Sequence, residues 1–125
     1  MKTLHRQTDI PLYDVATLHL IVCGDIVSHM NSRPDLFGEP DKNEEGTSYL
    51  GMCAYRGANL YLLFDRRGPL THDTLGHEIF HMTHRILEIV GTNFSTENHE
   101  PFAYLAGWMH AWVYRELKKA RVKIS

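Results

Sequence analysis

The sequence predicts a small α+β domain: an antiparallel or mixed sheet packed against two consecutive helices. Three observations carry this expectation. The first half of the chain holds short apolar runs, rich in β-branched residues and bounded by Gly, Pro and Asp. From about Thr71 apolar residues recur at helical spacing, and beyond Gly91 they do so again to about Lys119. At 125 residues, 43% hydrophobic and 22% charged, the chain is sized for one domain, residues 1–125, with its own core.

Composition narrows the function classes. A formal net charge of -2 gives no reason to expect a nucleic-acid partner. The basic tail, Arg115 to Lys123, lacks aromatic or motif support and reads as a solvated helix end. Residues Met1 to Asp9 lack the apolar core of a signal peptide, and no apolar run approaches a membrane span. A cytoplasmic protein with no membrane partner is the expectation. Cys23 and Cys53 sit in apolar runs and read as buried free thiols, two cysteines being too few for a disulfide framework. The nine histidines are the compositional anomaly.

In chain order, Ala16 to Cys23 reads as a strand that ends at Gly24-Asp25. Ile26 to Ser32 suits a short helix or an extended piece equally. Pro34 to Gly46, with four Pro and Gly breakers among acidic residues, reads as a solvated loop. Tyr49 to Arg56 and Asn59 to Asp65 read as strands joined by a tight turn at Gly57-Ala58. The second of these runs, almost wholly apolar from Leu60 to Phe64, is expected to border a cleft. If it is an edge strand, it could take an extended peptide by strand addition.

Arg66-Arg67-Gly68-Pro69 breaks the strand, Thr71 is an N-cap, Asp73 suits the first turn, and Gly91 is a stop. A helix over about Thr71 to Val90 follows. On a helical wheel Leu75, Ile79, Met82, Ile86 and Ile89 share one side, and His77, His81, His84 and Glu88 the other. A second helix begins near Asn98 as N-cap, tolerates Pro101 in its first turn and runs to about Lys119. Ala103, Gly107 and Ala111 form a stripe of small residues on it that would admit a neighbouring helix, with Glu100 just before the stripe. Trp108, Trp112 and Tyr114 read as core aromatics.

Leu75-Gly76-His77-Glu78-Ile79-Phe80-His81 contains H-E-x-x-H within the first helical segment. Residues four apart on a helix lie on one face about one turn apart, so the imidazoles of His77 and His81 can meet at one metal ion. Zinc suits neutral imidazole nitrogens, and two histidines with a third protein ligand leave a position for water. Glu78 is placed to take that water's proton. Glu100 is the expected third ligand, with Glu97 and His99 close enough to compete for the role.

His77-Glu78-Ile79-Phe80-His81 followed by Glu97-Asn98-His99-Glu100-Pro101-Phe102-Ala103-Tyr104-Leu105 resembles a minimal zincin of the gluzincin type. The layout is also similar to metallopeptidase domains of the ImmA/IrrE type and to small zincin-like proteins encoded by phages and prophages. The resemblance spans about residues 58 to 112. It implies zinc bound by His77, His81 and Glu100, Glu78 as catalytic base, and a peptide or protein substrate.

Tyr104, His99 and His110 are candidates to stabilise an oxyanion, and His84 is a candidate group beside the metal ligands. Asp65 could orient a ligand histidine or simply solvate a turn. The expected activity is peptide-bond hydrolysis. The alternative is a zinc-bearing interaction or inhibitor protein that does not cleave its partner; a metal-free α+β binding module is a third reading.

Overall fold

A computed structural model describes residues 2–11, 16–92 and 95–125; Met1, residues 12–15, and residues 93 and 94 in the link between the two long helices lie outside the description. Strands β1 (Leu4–Asp9), β2 (Thr17–Cys23), β3 (Gly51–Arg56) and β4 (Asn59–Asp65) form one sheet in the order β1-β2-β4-β3. The outer pairs are antiparallel, and β2 and β4 run parallel at the centre, from Thr17 opposite Asn59 to Cys23 opposite Asp65. Helices α1 (Ile26–Asn31) and α2 (Pro34–Phe37) precede β3, while α3 (His72–Ile89) and α4 (Glu100–Lys119) follow β4. The fold is α+β with a mixed sheet, as the sequence predicts.

Both faces of the central pair are covered, which is why these strands are mostly apolar on both faces. Side chains alternate across a strand, so Leu18, Leu20, Val22, Leu60, Leu62 and Phe64 enter one core, with Leu75, Ile79, Met82 and Ile86 of α3 and Leu105, Met109, Val113 and Leu117 of α4. Ile21, Cys23, Tyr61 and Leu63 point the other way, into a smaller core with Ile26 of α1. Full burial of each such side chain contributes about 1.5–3 kcal/mol. The α3 core is the larger, and it sets the position of the helix that carries the motif.

Several elements differ from the sequence-based expectation. β1 is a strand that the polar N-terminal sequence conceals; only Leu4 of its six residues is buried. Ile26–Asn31 resolves as a helix because the Asp25 carboxylate accepts from the Ser28 N–H and Ile26 and Val27 find a core. The breaker-rich segment holds α2 and a 3-10 turn at Lys42–Glu44. β4 is not an edge: β2 flanks one side and β3 the other, and the edge strands of the sheet are β1 and β3. The β3–β4 turn forms as expected, with Arg56 paired to Asn59 and Gly57 at φ +59°, a left-handed conformation that favours glycine.

In α3, Thr71 caps the N-terminus by accepting from the Thr74 N–H, and Gly91 follows the helix at φ +76°. Ile89 is 44% exposed, whereas Leu87 is buried in its stead. The cap of α4 is His99 in place of Asn98, with no side-chain bond to the helix. Ala103, Gly107 and Ala111 face solvent, because the apolar stripe of Leu105, Met109, Trp112, Val113 and Leu117 wins the contact with the core. Trp108, Trp112 and Tyr114 pack on that core as expected. The basic tail is anchored: Ser125 N–H donates to the Leu70 carbonyl at 2.8 Å, and Val122 and Ile124 pack inward. No helix among the described residues is long and apolar enough to cross a membrane.

On the α1 face of the sheet, the buried His19 stacks on Tyr61 at 4.5 Å between ring centroids. His19 Nε2 donates to Asn59 Oδ1 at 2.9 Å, which leaves its Nδ1 to accept from His5 Nε2 at 2.8 Å. Burial pushes His5 below its ordinary 6.5, reinforced by His19, Arg33 and His29. His29 is lowered by burial and by Arg33. These groups bind protons more readily in the unfolded chain, so their effect on stability is absent above the unfolded value and grows unfavourable as pH falls below it. The denaturation midpoint should therefore drop between about pH 7 and pH 5, and a His5→Gln/His29→Gln variant should drop less. Equal slopes in a urea titration series would contradict the assignment.

Candidate metal centre

The helical period of α3 determines the site. Burying Leu75, Ile79 and Met82 turns His77 and His81 to solvent, and both side chains are exposed. Their Nε2 atoms converge to 3.1 Å, with the rings edge to face at 79°. Two imidazole nitrogens on one tetrahedral zinc, each at about 2.0–2.1 Å, lie about 3.3 Å apart. The pair thus presents two donors at a separation that suits one such ion.

Glu78 is rotated by about 100° from His77 on the helix, toward β3. It is 8% exposed, and its Oε2 lies 3.9 Å from His77 Nε2. Room for it comes from the strand. A Cβ on Gly51 would lie 2.8 Å from Glu78 Cγ and 3.0 Å from Thr74 Cγ2, so only glycine lets β3 and α3 approach this closely. Two residues along the same face of β3, Cys53 Sγ lies 3.3 Å from the Glu78 carbonyl oxygen and 3.5 Å from Glu78 Oε1. Burial pushes the Cys53 thiol up, and the Glu78 charge pushes it further, so the thiol stays protonated and able to donate. Cys53 is thus a half-buried free thiol and Cys23 a fully buried one.

His77 and Glu78 line a hollow with Ser48, Tyr49, Leu50, Gly51, Asp73 and Thr74. On the opposite flank of the histidine pair, Phe80 meets the His81 ring at 6.4 Å and Phe102 of α4 at 5.0 Å. Leu50 and Phe80 are 66% and 50% exposed, an apolar rim on both sides of the donors.

The remaining sequence candidates stand apart from this hollow. Glu100 opens α4 on its exposed side, and among the described residues no group of three His, Cys, Asp or Glu side chains is placed to hold a metal ion. The small-residue stripe on which its approach to the histidines depended faces water. Glu97 and His99 are likewise exposed, His99 lining a separate hollow with Ser95, Thr96, Phe102 and Ala103. Tyr104 is 73% exposed. His110 Nδ1 meets the Ala106 carbonyl at 2.9 Å, and its ring stacks on Tyr114. His84 is exposed on α3.

Asp65 serves its turn: it accepts from Arg67 N at 2.8 Å and pairs with the Arg67 guanidinium at 2.6 Å, which also reaches Asp25 and Ser48. The sequence reading takes Cys53 as a free thiol but does not place it, or Gly51, against Glu78. Their signal is two small residues at strand alternation in the first strand of the hairpin that precedes the motif helix.

Compared with protein-family models, with curated proteins and with solved structures, the chain finds no match in any of the three.

The Gly51 contact is open to a double-mutant test. Gly51→Ala should destabilise the fold by about 1–3 kcal/mol through overpacking, and Glu78→Ala in the same chain should recover part of that loss. Strictly additive effects in urea denaturation would show that the two residues do not share the slot.

Proposed function

We propose that this chain is a zinc-dependent metallopeptidase built on a minimal zincin-like plan. The observation that carries the reading is the convergence of His77 and His81 Nε2 at 3.1 Å beside a carboxylate oxygen 3.9 Å from His77 Nε2. His77 and His81 would hold the ion, with Glu100 as the proposed third ligand. Zinc in such a position supplies Lewis-acid activation of a carbonyl and acidifies water to near neutrality.

The chain's own residues would do the rest. Glu78 would take a proton from the attacking water on Oε2 and pass it to the leaving amine. The exposed edge of β3, whose residues Gly51 and Cys53 touch Glu78, would align an extended peptide by main-chain hydrogen bonds. Leu50 and Phe80, apolar and exposed on either side of the donors, would receive apolar side chains of that peptide.

The test is hydrolysis of a mixed peptide library by zinc-loaded protein, read by mass spectrometry. Glu78→Gln should retain zinc and lower the rate by about 10²–10⁴-fold, the range of a general base. Stripping zinc with a chelator should abolish cleavage, and adding it back should restore it.

The absence of a three-ligand group among the described residues favours a second reading, a zinc-bearing interaction or inhibitor protein. Retained zinc with no cleavage of any peptide would select it.

A further inference from the structure

The buried carboxylate of Glu78 has two inequivalent oxygens. Oε2 points toward His77, at 3.9 Å from Nε2, and Oε1 points into the sheet, at 3.5 Å from Cys53 Sγ. The side chain is confined on the strand side, its Cγ lying 2.8 Å from where a Gly51 Cβ would stand. We propose that Cys53 is a positioning residue for the base: its S–H donates to Glu78 Oε1 and fixes the carboxylate so that Oε2 is left free for the proton of the attacking water. The inference rests on the reading of Glu78 as the base.

The geometry has a physical rationale. A carboxylate buried beside apolar residues is costly without a donor, and a free carboxylate would rotate between several partners. The neutral thiol supplies one weak donor, which orders the group without drawing off its charge as a cation would. The position on β3 also links the base to the strand proposed to carry the substrate, so that the base and the peptide would be registered by one element.

Two measurements decide it. In metal-free protein, the S–H stretching band of Cys53 is the infrared band lost in Cys53→Ser. It should move to higher frequency in Glu78→Gln, where the acceptor loses its charge. A band unmoved by Glu78→Gln means that the thiol serves only the Glu78 carbonyl oxygen and overturns the proposal, whatever the activity. In zinc-loaded protein, Cys53→Ala should lower kcat about tenfold with KM nearly unchanged, and Cys53→Ser, which keeps a donor, should recover most of it. A kcat in Cys53→Ala equal to wild type overturns the positioning role and leaves the base assignment intact. Hydrolysis that survives Glu78→Gln defeats the base assignment, and the positioning role with it.

Discussion

The packing of α3 on the central strands β2 and β4 is the constraint on which everything else depends. A helix of 3.6 residues per turn cannot bury Leu75, Ile79, Met82 and Ile86 without presenting residues 77 and 81 to water. Nor can it do so without turning residue 78 toward whichever strand lies alongside. That strand is β3, and its small residues Gly51 and Cys53 leave the space into which Glu78 fits. The hydrophobic core and the candidate centre are two faces of one helix, so a change in the register of one shifts the other.

Much of this was legible because the signals were local. Thr71 and Gly91 bracket α3 by capping chemistry, and the turn at Gly57 sets the pairing of β3 with β4. The central strand β4 was equally visible as an apolar run, though its almost wholly apolar stretch from Leu60 to Phe64 marked an interior strand rather than an edge. What escaped was decided by tertiary competition. β1 shows a single buried residue and therefore no alternation to read. The stripe of Ala103, Gly107 and Ala111 invited a close helix contact, but a larger apolar stripe on the same helix took the core. The contact of Cys53 with Glu78 joins residues 25 apart in sequence, and only the register of the sheet reveals it.

The proposed centre separates into a part held by the scaffold, His77, Glu78 and His81 on α3, and a part that the second helix would have to supply. His77, Glu78 and His81 are presented by one helix, with Glu78 wedged between strand and helix. Glu100 begins α4 at an end without a side-chain cap, on the side that faces solvent. In the proposed enzyme the α3 half would set the positions of the base and two donors. The α4 end would then decide whether the centre is catalytic or only a place where metal rests.

The most direct test of the central claim is zinc stoichiometry by elemental analysis on protein purified without a histidine tag. The account predicts about one zinc per chain in wild type, lost in both His77→Ala and His81→Ala. A wild-type chain that holds no zinc after reconstitution, or variants that keep it, would contradict the account and leave the histidine pair as two hydrogen-bonded surface side chains.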